Sequence, residues 1–318
     1  MFGRLPPAHL VGPGLLLVAA FLLPGIANEY QLYVLSSLCM YAVLAVGLDL
    51  LVGRAGQFAF SHIAFFGIGA YTTAALKLHL GVTTLVGIMF GMILCGAVGA
   101  LIALPATRLK SIYLALATFG FAQAAYWIFQ NWLPVTGGPD GLRTGAPDIF
   151  GLRIVTEGSA FTVMATMLAL TIVVTLYLMR SKLGRSIAAI HDSEHVAAVS
   201  GVNVRRTKIV AFTISSVYAG LAGGMLTLFS SFIHPDNFNF APIVLLLSML
   251  VVGGMGSIPG TLIGVVVIGT LPELLRTTMH SFLVWQEVVY GLILIISIMF
   301  MPSGIWPLVK RAGKRWYP

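Results

Sequence analysis

Long, uninterrupted apolar runs dominate this chain and limit what it can fold into. Many of them approach the roughly 20 residues that a helix needs to cross the hydrocarbon core of a bilayer. Only 9% of the 318 residues are charged, against about 25% in a soluble domain, so charged side chains cannot cover a globular surface. A membrane β-barrel would instead show alternating segments of about ten residues. The sequence therefore predicts an all-α polytopic membrane protein.

The chain contains ten candidate spans. They are 10–27, 32–52, 61–79, 84–104, 112–132, 160–179, 207–232, 241–253, 257–275 and 283–300. The 241–253 run is short for a full crossing and glycines interrupt 53–70, so we expect 8–10 transmembrane helices in a single domain, 1–318. The first 27 residues also fit a signal peptide, with Arg4 ahead of an apolar stretch. A first span is favoured because the topology below requires it.

Lysine and arginine are unevenly divided between the two sides that ten crossings define. One side holds fourteen, namely Arg4, Arg54, Arg108, Lys110, Arg180, Lys182, Arg185, Arg205, Arg206, Lys208, Lys310, Arg311, Lys314 and Arg315. The other holds four, namely Lys77, Arg143, Arg153 and Arg276. Because positive residues accumulate on the cytoplasmic side, both termini and the 180–208 segment are predicted to be cytoplasmic. The 133–159 loop is then external.

One polar, cationic segment, from Met179 to Lys208, interrupts the apolar runs. Glycines at 184 and 201 bracket a predicted short amphipathic helix. Its apolar face carries Ile187, Ile190, Ala197 and Ala198, and its polar face carries His191, Asp192, Glu194 and His195. Small apolar side chains beside acidic ones suit a groove on a partner protein better than lipid headgroups. A solvated loop is the alternative.

The sequence shows no catalytic constellation. It has no P-loop, no H-E-x-x-H and no cysteine metal cluster, so we expect no enzyme activity, cofactor or metal in this chain. Cys39 and Cys95 both fall in apolar runs and are predicted to be buried structural thiols. The basic residues flank spans, which argues against nucleic-acid binding.

Five stretches together resemble the membrane subunits of branched-chain amino acid ABC importers. They are GLDLLVGRAGQFAFSHIAFFGIGAYTTAAL (47–76), RLKSIYLALATFGFAQ (108–123), NWLPVTGGPDGL (131–142), GRSIAAIHDSEHVAAVSGVNVRRTKIVAFTISSVYAGLAGG (184–224) and VVGGMGSIPGTLIG (251–264). The extended TGGPDG loop and the R-L-K-S-I-Y-L stretch favour the larger, LivM-like, of the two paralogous permeases in this family.

The resemblance implies a multi-pass permease subunit in the inner membrane of a bacterial cell. Its implied partners are a paralogous permease, two cytoplasmic ATPases that carry ATP and Mg²⁺, and a periplasmic solute-binding protein. The implied substrates are branched-chain amino acids, although similar permeases carry urea, amides or aromatic acids. The competing class is an ion-coupled secondary transporter, for which Asp49 is the one embedded candidate.

The resemblance also assigns a coupling helix that contacts the ATPase to Gly184–Val204, within a cytoplasmic loop at 180–206. The candidate coupling residues are Gly184, Arg185, Ala188, Ala189, Asp192, Glu194, Ala197, Gly201 and Val202. Three flanking arginines, Arg185, Arg205 and Arg206, are expected to anchor the helix against acidic partner groups or lipid phosphates.

Polar residues in or near the spans are candidates for the translocation path. They are Asp49, Gln57, Ser61, His62, Thr118 and Gln123. Asp49 stands where the family usually carries Asn, and it either pairs with Arg54, lines the path or reaches interfacial water. The three residues that follow the glycine turn either face a path beside a broken helix or cap the next helix through Ser61. Thr118 and Gln123 either line the path or bond to neighbouring helices.

Two further features are local glycine patterns. The external turn Thr136, Gly137, Gly138 and Asp140 is a candidate dock for the binding protein, with an ordinary surface turn as the alternative. The stretches 53–71 and 253–271 echo each other, since each follows an apolar helix and opens with G-x-x-G. This echo indicates either an internal duplication or the high frequency of glycine in membrane helices.

Overall fold

The structure is a computed structural model that describes residues 7–107, 109, 111–149, 152–154, 156–272, 282–301 and 304–307. In chain order the helices and strands are α1 (Pro7–Leu22), α2 (Glu29–Leu48), α3 (His62–Leu80), α4 (Thr84–Ala106), α5 (Ser111–Asn131), α6 (Leu133–Thr136), β1 (Leu142–Arg143), β2 (Asp148–Ile149), β3 (Leu152–Arg153), α7 (Glu157–Arg180), α8 (Lys182–Asp192), α9 (Glu194–Val199), α10 (Val204–Phe229), β4 (Phe232–Ile233), α11 (Ala241–Gly253), α12 (Ile258–Gly269) and α13 (Phe282–Phe300). A π-helical turn, Asp49–Arg54, continues α2, and 3₁₀ turns lie at Leu23–Gly25, Gly138–Asp140 and Pro235–Phe238.

Each predicted span overlaps a helix of the described residues, although 257–275 extends past them at 273–275, and the all-α polytopic membrane class is confirmed. Among the described residues, six helices are long and apolar enough to cross a membrane, namely Glu29–Arg54, His62–Leu80, Thr84–Ala106, Ile112–Asn131, Glu157–Arg180 and Val204–Phe229. Four shorter apolar stretches of helix in the same residues are Gly12–Gly25, Ala241–Gly253, Ile258–Gly269 and Val288–Phe300. The 13 residues of α11 rise only about 20 Å at 1.5 Å per residue, less than the hydrocarbon thickness of about 30 Å.

The centre of the bundle is α10, which packs against α2, α3 and α4. Glycines allow the closest of these contacts. A Cβ built on Gly223 would lie 2.0 Å from the carbonyl oxygen of Phe66, and one on Gly69 would lie 2.2 Å from that of Gly220. Helix backbones come this near only where side chains are absent or small, which is the usual way that membrane helices associate.

Two peripheral groups of helices surround this centre. Helix α7 packs against α1 and α2, and α11 packs against α12 and α13. Cys39 in α2 and Cys95 in α4 are buried free thiols, as predicted. Eight of the basic residues used to orient the chain lie outside the described residues, namely Arg4, Arg108, Lys110, Arg276, Lys310, Arg311, Lys314 and Arg315.

The two ends of the bundle carry different structures. At one, called here the α8 end, α8 and α9 join α7 to α10. At the opposite one, called here the β end, β1 pairs antiparallel with β4 and β2 pairs antiparallel with β3. Lys77 Nζ lies 3.4 Å from Asp148 Oδ1, and the Thr84 hydroxyl donates to the same oxygen at 3.0 Å. These bonds hold β2 against the α3–α4 turn, so this part of the predicted 133–159 loop is ordered structure.

Candidate coupling and translocation site

The element that joins α7 to α10 is two helices, so the prediction of one helix is wrong. Ser193 interrupts it with extended backbone dihedrals, φ −164° and ψ 118°. The Ser193 hydroxyl accepts a hydrogen bond from the Val196 N–H at 3.4 Å, which makes this serine the N-cap of α9. Gly201, at φ +83°, follows the end of α9 as predicted.

Gly184 lies within α8 and does not precede it. The helix starts at Lys182, and the Ser181 hydroxyl caps it by accepting from the Gly184 N–H at 3.3 Å. A Cβ at position 184 would come 2.3 Å from the carbonyl oxygen of Met179. Glycine is therefore needed here because the chain turns sharply between α7 and α8, and not because it breaks a helix.

A small hydrophobic cluster fixes α8 to the bundle. Its buried members are Leu50, Ala55, Ile187 and Ala211, and its half-buried members are Leu178, Met179, Leu183 and Ile214. Through Leu50 and Ala55 the cluster joins α8 to the π turn as well as to α7 and α10. The sequence did not predict this contact, because the π turn is more than 130 residues away in the chain. Helix α8 is therefore packed against three segments of the membrane domain at once.

The exposed residues of this element include two large apolar side chains, both of them valines of α9. Val196 is 62% exposed and Val199 is 86% exposed, whereas Ala197 is 1% exposed. Ala197 thus contacts the rest of this chain, which corrects its predicted place on a partner-facing surface. Of the other candidates, Arg185, Ala188, Asp192, Glu194 and Gly201 are exposed, Ala189 and Val202 are half-buried, and Gly184 is buried. Glu194 forms an ion pair with Lys208, which holds α9 against α10.

Asp49 in the π turn is a buried carboxylate with two partners. Arg54 Nε donates to Asp49 Oδ2 at 3.1 Å, so the predicted pairing is present. The Gly256 N–H donates to Asp49 Oδ1 at 2.6 Å. Asp49 is only 1% exposed, which excludes the alternative of interfacial water. The Ala55 N–H bonds to the Leu50 carbonyl, five residues back, a π-helical pattern that is frequent at functional sites.

The two glycine-rich stretches that echo each other in the sequence meet at this carboxylate. A Cβ on Gly53 would lie 2.6 Å from the Gly256 nitrogen, and Gly256 has φ +81°. Gly56 adjoins α8, because a Cβ there would lie 3.2 Å from His191 Nδ1. The α8 helix, the π turn and the α11–α12 turn therefore form one continuous set of contacts.

Between the π turn and α3 the chain is irregular, and the predicted path residues there are buried. Gln57 Nε2 has no hydrogen-bond partner within the described residues. Ser61 makes no capping side-chain bond, so that alternative is wrong. His62 lies between α2 and α10, with Nε2 2.9 Å from the Leu44 oxygen and Nδ1 3.3 Å from Ser215 Oγ.

The two candidates on α5 have different surroundings. Thr118 is buried, and its hydroxyl accepts from the Phe60 N–H at 3.0 Å while donating to the Leu114 oxygen at 2.8 Å. It therefore bonds to a neighbouring segment, one of its two predicted roles. Gln123 is exposed on the surface of the bundle, in the middle of a membrane-length helix.

At the β end, the predicted docking turn is mostly inside the protein. Thr136 and Gly138 are buried, Gly137 is half-buried and Asp140 is exposed. The Thr136 hydroxyl accepts from the Gly138 N–H at 3.2 Å, and Pro139 presents its carbonyl oxygen to His234 Nε2 at 2.9 Å. The turn is therefore joined to the segment between α10 and α11.

That segment carries a hydrogen-bonded network that the sequence did not predict. The Asp236 N–H donates to His234 Nδ1 at 3.2 Å. The Tyr126 hydroxyl on α5 donates to Asp236 Oδ1 at 2.8 Å, and Gln130 Nε2 donates to the Tyr126 oxygen at 2.6 Å. In the sequence, the sign of this network is the polar stretch H-P-D-N at 234–237, which follows an apolar span.

Beyond Asp236 the segment between β4 and α11 packs into the bundle through aromatic contacts. The Phe238 ring packs on Phe66, Tyr71 and Phe129, with centroids 5.3, 5.5 and 5.6 Å apart. The ring of Phe240 lies 5.3 Å from that of Phe119, in the middle of α5. The chain between β4 and α11 therefore re-enters the membrane domain along α5.

Membrane-length helices, a re-entrant segment and polar turns inside the bundle define the class as a membrane transport permease. The chain belongs to the family described as branched-chain amino acid transport system / permease component, whose profile matches residues 30–298.

Relatives in this family come from bacteria and an archaeon. The chain is 28% identical over 319 residues to the high-affinity branched-chain amino acid transport system permease protein LivM of Escherichia coli (strain K12), covering 93% of this chain and 74% of LivM. It is 26% identical over 294 residues to LivH of Salmonella typhimurium, covering 83% and 90%. It is 25% identical over 275 residues to a probable LivM of Methanocaldococcus jannaschii, covering 76% and 78%. No solved structure matches the chain.

Proposed function

We propose that this chain is the LivM-like permease subunit of an ATP-binding cassette importer for branched-chain amino acids. A periplasmic solute-binding protein delivers the substrate, and a paralogous LivH-like permease completes the membrane domain. Two ATPase subunits hold ATP and Mg²⁺ and hydrolyse the nucleotide. The complex lies in the inner membrane, with the α8 end and both termini in the cytoplasm.

The observation that carries this proposal is the α8–α9 element. It presents two exposed valines, Val196 and Val199, to solvent, while Ile187 on the opposite side packs into the cluster with Leu50 and Ala211. An exposed apolar surface of this kind favours a protein partner. In the proposal, the ATPase binds this surface, and its closure moves α8 against the bundle.

The movement then has a defined route through the chain. Because α8 packs on the ends of α7 and α10 and on the π turn, its displacement moves these three segments together. The bond from Gly256 to Asp49 extends the displacement to the α11–α12 turn. Packed helices shift between a few discrete arrangements and do not deform continuously. In the proposal, each arrangement opens the path to one side of the membrane.

The test is reconstitution of the complex in liposomes. The chain is co-expressed with the LivH-like permease, the ATPases and the binding protein, and co-purification and ATP-dependent uptake are measured. We expect a stable complex that imports leucine, isoleucine and valine. Import of urea, amides or aromatic acids in their place would contradict the substrate, and failure of the ATPases to co-purify would contradict the class.

An ion-coupled secondary transporter is the competing function, and the geometry of Asp49 disfavours it. A coupling-ion site needs a carboxylate that is free to bind and release the ion. Both oxygens of Asp49 are already bonded, one to Arg54 and one to the Gly256 N–H. Uptake that persists after the ATPase is inactivated would nevertheless establish this competing class.

A further inference from the structure

We propose that Asp236 binds the α-ammonium group of the amino acid as it passes through the permease, and that the aromatic surface around Phe240 receives the apolar side chain. This inference rests on the proposed function and adds a substrate contact to it. It assigns the contact to the segment between α10 and α11, outside the path residues predicted from the sequence.

The first step is that Asp236 is an exposed carboxylate that no lysine or arginine of the described residues neutralises. Its side chain is 59% exposed, and no lysine or arginine of the described ranges forms an ion pair with it. The His234 ring lies beside it, with Nδ1 at 3.2 Å from the Asp236 backbone nitrogen and Nε2 at 2.9 Å from the Pro139 oxygen, so backbone groups hold the ring in place.

The second step is that this carboxylate lies beside a membrane span. Its partner Tyr126 belongs to the membrane-length helix Ile112–Asn131, five residues before the helix ends, or about 8 Å at 1.5 Å per residue. Ionisable groups beside a span avoid lipid and face water or another protein. Asp236 is exposed at the β end, so in the proposal it faces water at the mouth of the path.

The third step is that the surrounding polar groups orient the carboxylate without saturating it. The Tyr126 hydroxyl binds only Oδ1. Oδ2, which lies 3.3 Å from His234 Nδ1, keeps lone pairs that can accept from a ligand. The ring of Tyr71 packs on that of Phe238, two residues beyond Asp236, and its buried hydroxyl has no hydrogen-bond partner within the described residues. A polar ligand at Asp236 would supply such a partner.

The fourth step is the apolar surface four residues further along. Phe240 is 44% exposed, and its ring packs edge-on against Phe60 and Phe119 at 6.2 and 5.3 Å. A carboxylate and an exposed phenylalanine ring, four residues apart on one segment, match the two ends of a branched-chain amino acid, namely a cationic ammonium and an aliphatic side chain. Charged and apolar groups in this arrangement are typical of ligand sites.

The test uses the complete importer in proteoliposomes with saturating leucine-loaded binding protein. The Asp236→Asn substitution removes the charge and keeps an oxygen for Tyr126. Loss of a hydrogen bond to a charged group weakens binding, so we expect initial leucine uptake to fall about tenfold or more. Tyr126→Phe loosens the carboxylate and should lower uptake about threefold. Glu29→Gln, which removes another exposed acid at the β end, should leave uptake unchanged.

Two further readouts make the result decisive. We expect Asp236→Asn to keep its stoichiometry on size-exclusion chromatography and its binding-protein-stimulated ATPase rate. Wild-type uptake by Asp236→Asn, or an equal loss in Glu29→Gln, would overturn the inference. The inference would also be overturned if Asp236→Asn lost ATPase stimulation or complex stoichiometry to the same extent as it lost uptake. Asp236 would then be a docking contact for the binding protein or the second permease. If the wild-type complex imports no amino acid, the proposed function itself fails.

Discussion

The Asp49 carboxylate accepts a hydrogen bond from the Gly256 N–H at 2.6 Å, across 207 residues of sequence. The same group holds Arg54 at 3.1 Å. One buried side chain therefore fixes both the π turn, on which α8 packs, and the turn between α11 and α12. An Asn at position 49 would offer one acceptor oxygen and no charge. The Asp49 carboxylate therefore joins the two turns more strongly than an Asn side chain would.

Asp49→Ala is predicted to destabilise the subunit. It leaves the Gly256 N–H unbonded and the Arg54 guanidinium unpaired, and each lost bond to a charged group costs about 1.5–3 kcal/mol. The free energy of unfolding in a mixed-micelle denaturation series should fall by about 2–4 kcal/mol, allowing for the partial exposure of Arg54. ATP hydrolysis by the complex should also become less dependent on loaded binding protein.

Asp49→Asn is the matched control, because its amide oxygen still accepts from Gly256. We expect it to retain more than half of the stability that Asp49→Ala loses. Equal stability of all three proteins would show that the carboxylate does not hold the two turns together.

The local half of this junction could be predicted from the sequence, and the distant half could not. Asp49 and Arg54 lie only five residues apart, so their pairing could be predicted from nearness in the chain, although it is the π turn, and not an α-helix, that places this spacing on one face. The contact with Gly256 depends on how two separate helical pairs pack, which no local pattern encodes. The glycine echo between 53–71 and 253–271 was the one signal available, and it indicated similar conformations and not a contact.

Two other features of the site, the break at Ser193 and the polar network around Asp236, were also not predicted from the sequence. The residues between Gly184 and Gly201 are typical of one helix because alanines and isoleucines fall at helical spacing, but the Ser193 cap outweighs that pattern. The span predicted for 207–232 ends at Phe229. His234 and Asp236 lie between two predicted spans, where no motif marks them, so the sequence did not predict them as site residues.

Val199→Asp is predicted to detach the ATPases without unfolding the permease. Val199 is 86% exposed, so an acid there costs the isolated subunit almost nothing, whereas a buried unpaired charge at an interface costs several kcal/mol. The ATPase should be lost from the purified complex at an unchanged melting temperature of the membrane domain.

The comparison variant is Ala197→Trp, two residues away. Ala197 is buried, so the larger side chain overpacks the contact between α9 and the bundle, at a cost of about 1–3 kcal/mol. This variant should lower the melting temperature. If Val199→Asp retains full ATPase stoichiometry, the exposed valines are not the docking surface.

Gly223→Ala is predicted to loosen the centre of the bundle. The added Cβ would lie 2.0 Å from the Phe66 oxygen and 2.7 Å from the Ala70 nitrogen, and neither backbone atom can move without shifting α3. We expect a loss of about 1–3 kcal/mol in unfolding free energy. Gly291→Ala in α13 meets nothing within 4 Å and should be neutral or slightly stabilising, since alanine is the better helix former by about 1 kcal/mol. Equal effects of the two substitutions would contradict the close crossing of α3 and α10.

The orientation predicted from the lysine and arginine distribution can be read by cysteine labelling. Cys39 and Cys95 are buried, so a membrane-impermeant maleimide has little background. Ser200→Cys places a thiol at the end of α9, and Arg143→Cys places one on β1, both at exposed positions. Because positive residues remain in the cytoplasm, Ser200→Cys should react only in inside-out vesicles and Arg143→Cys only in right-side-out vesicles. The reverse pattern would put the exposed valines of α9 on the side opposite any cytoplasmic ATPase, and the importer proposal would fail with it.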